Sequence, residues 1–235
     1  MKIVGFDTAT EDTVIAARDG GEVLFQTSAG PDENGRPCHS AMLLELVERA
    51  AEALGGWSQV DRIAVGTGPG TFTGLRIGLA TATGLAMSAP IEVVGVPTLK
   101  ALARDLARGA PDGQLSVPML DARRGEVFIA VYDGDGREVE PAAALAPEAA
   151  VSMLSGLDLP ATVGGPGAVR FAECFERADF RIADPASQQG RLTGLAICEL
   201  GAGAAPTGPD NPLEPIYIRA PDARLWLERD SAAPG

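Results

Sequence analysis

The sequence predicts an α/β protein in two lobes. Short β-branched runs alternate with segments of helical period, and the succession of strands and helices starts again after Pro97. With 46% hydrophobic residues in 235, the chain can bury a core without cross-links. Ile3 to Phe6, Val14 to Ala17 and Val23 to Phe25, separated by turn-forming segments around Thr10 to Asp12 and Asp19 to Gly21, predict a β-meander. After a polar loop from Ser28 to Pro37, Leu43, Leu46, Val47, Ala50, Ala53 and Leu54 recur at helical spacing. Glu45, Glu48, Arg49 and Glu52 fall opposite, and Gly55 and Gly56 stop this amphipathic helix. A strand at Ile63 to Val65 leads into GTGPGTFTGLRIG, Gly66 to Gly78, and a second helix reaching about Ser88.

That second helix differs in kind. Leu75, Ile77, Leu79, Leu85 and Met87 point around the whole axis, and Arg76 is its only charge. A helix apolar all round is covered all round, by the chain's own core or by another subunit. Gly74, Gly78, Ala82 and Ala86 repeat every four residues, a smooth strip that another backbone could approach. Beyond Pro97 the sequence predicts a helix from Thr98 to Arg108, a strand at Leu115 to Leu120, and a further strand in DARRGEVFIAVYDGDG. Helices follow at Pro147 to Ser155, Ala168 to Arg177 and Leu192 to Ala202, with short strands near Thr162 and Phe180. Ala204 to Pro215 reads as a linker, and EPIYIRAPDARLWLERD returns with one strand and a short helix.

Composition excludes several classes of function. Nineteen Lys and Arg against 32 Asp and Glu give a net charge of −13, so the chain alone is repelled by phosphate backbones and anionic lipid. Cys38, Cys174 and Cys198 are odd in number and far apart, which argues against a disulfide framework or structural zinc and suits a reducing cytosol. The start, MKIVGFDTAT, lacks the apolar core of a signal peptide, and no run approaches the roughly 18 residues of a membrane helix.

Residues that could carry chemistry are few. Gly66 to Thr73, between a strand and a helix, could hold an anion through Gly68 and Gly70, or could simply turn tightly around Pro69. It matches neither nucleotide fingerprint: no Lys follows, and Thr71 stands where a last glycine belongs. Asp7 could hold a metal through water, or could cap the turn that follows its strand. Arg123 and Arg124 could clamp a phosphate or carboxylate, or make local salt bridges. Zinc hydrolysis needs two imidazoles on one helix face, and the chain has only His39, with Leu43 where the second ligand would stand. A serine triad would also depend on His39 and has no G-x-S-x-G elbow.

GTGPGTFTGLRIGLATATGLA, together with FDTAT, CHSAMLL, DARRGEVF and PIYIRAPDA, closely resembles the signature of the TsaB (YeaZ) family, in order over nearly the whole chain. The resemblance implies an actin-like, sugar-kinase-like fold of two lobes with the second reduced: residues 1–97 plus 214–235 in the first, 98–213 in the second. It implies a noncatalytic subunit of the bacterial machinery that places threonylcarbamoyl on the adenosine beside the tRNA anticodon. The expected partners are a TsaD-like catalytic subunit and a TsaE-like ATPase. A homodimer is expected when the chain is alone, with tRNA reached only through the complex and no membrane contact. No cofactor is expected on the isolated chain, whereas ATP and magnesium could bind at the complex. TsaD-like proteins carry the two-His motif that His39 and Leu43 fail to complete. A partner face made of His39, Leu43, Leu46, Leu75, Gly78, Leu79, Ala82 and Leu85 would explain the apolar second helix, so Leu75→Glu or Gly78→Glu is expected to break pairing in a folded chain. The competing readings are an autonomous ATP-using enzyme with magnesium on Asp7, and a peptidase.

Overall fold

Alternation within the strands assigns their faces before any helix is considered. In β1 (Lys2–Asp7), Ile3 faces one side while Val4 and Phe6 face the other, and all three are buried. A strand buried on both faces needs a layer on each side. The computed structural model of the chain, which describes residues 1–111, 113–209 and 211–219, supplies those layers.

The first lobe runs β1, β2 (Thr13–Asp19), β3 (Glu22–Ala29), α1 (His39–Ala53), β4 (Arg62–Gly68), α2 (Phe72–Ser88), β5 (Glu92–Pro97) and α3 (Thr98–Ala107). The second repeats the order with β6 (Leu115–Asp121), β7 (Val127–Tyr132), β8 (Glu138–Leu145), α4 (Pro147–Ser155), β9 (Ala161–Gly164), the short α5 (Pro166–Arg170) and α6 (Ala172–Glu176), β10 (Arg181–Ile182) and α7 (Gly194–Gly203). The sheets are ordered β3-β2-β1-β4-β5 and β8-β7-β6-β9-β10, each an antiparallel meander continued by two parallel strands. The two lobes are thus one topology used twice, the second shrunken to a two-residue last strand.

Five layers result. Val4, Phe6, Ile15, Ile63 and Val65 pack outward on α1 and α2, and Val117, Met119 and Ile129 pack outward on α4 and α6. Between the sheets lie α3 and α7, joining Ile3, Ala16 and Val94 to Leu120, Phe128 and Ala130 in one core. Their assignment is crossed. Although α7 falls within the 98–213 segment expected in the second lobe, it packs on β1, β2 and β4, whereas α3 packs on β6. Glycine permits the approach: a Cβ on Gly194 would stand 2.1 Å from the Ile15 carbonyl carbon, and one on Gly5 would stand 2.6 Å from Cys198 Sγ.

Two expectations are corrected, and one strand, β8, was not expected at all. The helix expected from Ala168 to Arg177 is broken at Phe171 (φ −114°, ψ 28°) into α5 and α6. Strand β8 carries no apolar alternation and contains Pro141; as an edge strand bonded only to β7, it tolerates both. The strand expected in the tail is not formed over Glu214 to Arg219, where a single bond from Ile216 N–H to Thr67 O stands in for a ladder. The rest of that tail, with its expected helix, lies outside the described residues.

Asp105 ties the two central helices together. Its carboxylate, fully buried on α3, accepts from Thr193 N–H (2.8 Å) and the Thr193 hydroxyl (3.0 Å) at the start of α7, and pairs with Arg108. Burial pushes its pKa up to about 7, against the pull of Arg108 and Thr193. Arg104 and Arg108 also hold Glu199 of α7. Asp105→Ala is expected to lower stability by about 3 kcal/mol, since it strands buried donors and a charge, with Asp105→Asn costing less; denaturant titration reads both.

Candidate partner face and interlobe cleft

Asp7, at the end of β1, is closed to any ligand. Its Oδ1 accepts from Ala9 N–H (2.6 Å), the turn-capping arrangement, and its Oδ2 from the Thr98 hydroxyl (2.6 Å). Thr98 Oγ1 in turn accepts from Gly68 N–H (3.0 Å). The carboxylate is fully buried, and a Cβ on Gly66 would fall 1.8 Å from Oδ2. Burial pushes its pKa up to about 6, with the bonds from Thr98 and Ala9 opposing. The reading of Asp7 as a metal or nucleotide contact is therefore corrected: it is a structural cap.

The glycine segment folds against the turn after β1. Thr71 N–H donates to Ala9 O (2.7 Å), and a Cβ on Gly70 would stand 2.2 Å from the same oxygen. Within α2, a Cβ on Gly74 would stand 1.9 Å from Thr8 O, and one on Gly78 would stand 2.5 Å from Thr8 Oγ1. The small residues thus admit this chain's own turn, not a partner's backbone.

The expected partner face is corrected on the same ground. His39, Leu43, Leu46, Leu75, Gly78, Leu79 and Ala82 are all buried within the chain, and Leu85 is half-buried. Leu75→Glu or Gly78→Glu would disrupt the fold itself. What α2 leaves exposed is Phe72 and Ser88 at its ends and, between them, the arc Thr73, Arg76, Ala80, Thr83, Gly84 and Met87, with Met87 85% exposed; on α1, Leu44 is 64% exposed. A helix apolar on every side does not say which side its own sheet takes, and only the fold decides.

His39 is held at both ring nitrogens. Nε2 faces Thr10 O (3.1 Å), so it carries the proton, and Nδ1 accepts from the Thr13 hydroxyl (2.8 Å). Burial keeps its pKa below the usual range.

Between the lobes, the β1–β2 turn faces the β6–β7 turn across a cleft of about 340 Å³ lined by Thr10, Glu11, Gly70, Asp121, Arg123 and Arg170, among others. Arg123 and Arg124 both adopt left-handed backbone (φ 61° and 55°). Arg123 pairs with Glu11 (2.7 Å) across the cleft and with Asp121 (3.4 Å), and Arg170 pairs with Asp121 (2.5 Å). Gly70 and Arg123 are thus brought together, and Arg124 joins them along a neighbouring groove of about 500 Å³. Asp7 and Gly68 line neither. Sequence reasoning missed Glu11, Arg170, Phe72, Tyr217 and Arg219; the ring in GTFTG and the one in PIYIR were the available signals for the aromatic pair. Among the described residues, no group of three or more His, Cys, Asp or Glu could hold a metal ion.

A sequence profile of the family described as "TsaD: tRNA N6-adenosine threonylcarbamoyltransferase" matches residues 32–197. The chain is 36% identical over 156 residues to the tRNA threonylcarbamoyladenosine biosynthesis protein TsaB of Escherichia coli, covering 63% of this chain and 64% of that one. It is 41% identical over 142 residues to the Bacillus subtilis protein of the same name, covering 56% and 55%. These matches span between half and two-thirds of the relatives' length. The solved structure of YeaZ from Pseudomonas aeruginosa superposes with a TM-score of 0.70 at 25% identity, covering 92% of this chain and all of that one. A ROK hexokinase from Thermus thermophilus superposes with a TM-score of 0.50 at 17% identity, covering 86% and 100%, a likeness of fold alone. The two-lobed architecture is the actin-like, sugar-kinase-like fold.

Asp7 makes stability depend on pH in a definite direction. With its folded pKa near 6 against about 4 in the unfolded chain, its contribution is complete below pH 4 and is lost as pH rises through 6. The stability of the wild type relative to Asp7→Asn should therefore fall by about 2 kcal/mol between pH 4 and 7, measured by urea unfolding at each pH.

Proposed function

The chain belongs to the TsaB/YeaZ family, and from that premise we propose that it serves the synthesis of N6-threonylcarbamoyladenosine in tRNA as a noncatalytic subunit. It binds a TsaD-like catalytic subunit and supports a TsaE-like ATPase, reaching tRNA through the assembled complex. ATP and magnesium belong to that complex. Alone, the chain pairs with a second copy through the same face, and its setting is the cytoplasm; among the described residues, no helix is long and apolar enough to cross a membrane.

One observation carries the reading: the arc of α2 from Thr73 to Met87 leaves mostly small side chains and Met87 uncovered, with Arg76 its sole charge. A helix whose other sides are buried and whose outer arc carries small side chains, an exposed Met87 and a single charge fits a facing helix of another subunit. Two further features favour a supporting role. The Asp7 carboxylate, which an autonomous ATP-using enzyme of this fold would need for magnesium, has both oxygens engaged inside the protein. His39, on which a peptidase reading depends, spends both nitrogens on Thr10 and Thr13.

Ala80→Glu and Gly84→Glu, at exposed positions where Gly84 has open space beside it, test the face without touching the core. Each should abolish co-elution with the TsaD-like protein on a sizing column with light scattering, while thermal unfolding shifts little. Unchanged complex formation by both variants sinks the proposal.

A further inference from the structure

We propose that the groove between the first turn of α2 and the segment from Ile216 to Arg219 binds an unpaired nucleotide of RNA, its base stacked against the Phe72–Tyr217 pair. This rests on the tRNA reading above and deepens it, because the chain then touches RNA itself as well as reaching it through its partners. Phe72 and Tyr217 are 43% and 41% exposed, and they are the only aromatic side chains exposed to this degree among the described residues. They are not scattered: their ring centroids lie 5.6 Å apart, and the Arg76 guanidinium carbon stands 3.8 Å from the Phe72 centroid. With Arg76 over Phe72 and the Tyr217 ring tilted 31° to it, the three side chains form an exposed aromatic ledge, a surface on which an unpaired base stacks whatever its identity.

The platform is fixed before a ligand arrives. Phe72 opens a helix capped by Thr71, Ile216 N–H is bonded to Thr67 O (2.7 Å), and Arg219 reaches Ala122 O (3.2 Å) and pairs with Glu126. Side chains already ordered lose little entropy on binding. The groove beside them, about 500 Å³ and mainly apolar, includes Pro69, Ala122, Arg123 and Arg124 and has the volume of a small-ligand site. On a chain of net charge −13, Arg76, Arg123, Arg124 and Arg219 converge here. Glu11 and Asp121 neutralise Arg123, and Glu126 neutralises Arg219; Arg76 has no acidic partner among the described residues. Stacking therefore dominates over phosphate attraction, and the salt dependence is shallow.

The test is fluorescence anisotropy of the full chain, alone and in complex with the TsaD-like protein, against a short single-stranded oligoribonucleotide, its duplex, and AMP as competitor. Single strand should bind in preference to duplex, with a log–log salt slope no steeper than about −0.7 per phosphate contacted. Phe72→Ala and Tyr217→Ala should each weaken it about five- to a hundredfold, while Tyr217→Phe retains it. Thermal unfolding of the variants, whose rings are exposed, checks that they are folded. Equal binding by the wild type and both alanine variants overturns the proposal, as does no binding in either state. Competition by AMP as strong as by the oligonucleotide also overturns it, assigning the groove to a free nucleotide. Loss of partner co-elution in both alanine variants, with single-strand binding unchanged, makes the pair a protein contact instead. If the complex modifies tRNA equally well with both variants, the groove proposal fails alone; if the wild type supports no modification in any complex, the family reading fails with it.

Discussion

The buried carboxylate of Asp7 is the point on which the first sheet and the start of α3 are assembled. It gathers the turn after β1 through Ala9, the end of β4 through Thr98 and Gly68, and the first residue of α3. Three chain segments, at Ala9, Gly68 and Thr98, are thereby set at one buried place. The glycines around it follow from this requirement: Gly66 leaves room for the carboxylate, and Gly70 and Gly74 leave room for the turn that the carboxylate caps. A segment that looks like an anion-binding loop is thus occupied by an anion belonging to the protein.

The same node explains the division between what could and could not be read from sequence. The amphipathic α1 was legible because Glu45, Glu48, Arg49 and Glu52 mark its wet side, and its buried residues include the expected Leu43, Leu46, Val47 and Ala50. In α2 no such mark exists. Leu75 and Leu79 face the core while Ala80 and Met87 face outward, and hydropathy alone cannot separate them. The four-residue strip of small side chains was correctly seen as a close approach but assigned to the wrong neighbour, because Thr8 lies 66 residues away from Gly74.

Long-range pairing hid the candidate site as well. Arg123 and Arg124 stood out as a basic pair, yet their acidic surroundings include Glu11, from a turn more than a hundred residues earlier. Phe72 and Tyr217 are each unremarkable in isolation. Their stack exists only because the chain after β10 and α7 returns to the first lobe and hangs Ile216 on the end of β4. The crossed placement of α3 and α7 has the same character: each helix follows one sheet in sequence and covers the other in space, a relation that no local pattern encodes.

That crossing has a consequence for how the chain is made. The inner face of the first sheet, with Ile3, Ala16 and Ala64, is covered by α7, whose residues are translated last among the described helices. During synthesis this face lacks α7 until about 190 residues have followed Ile3, so the sheet waits on a distant part of the chain to be closed.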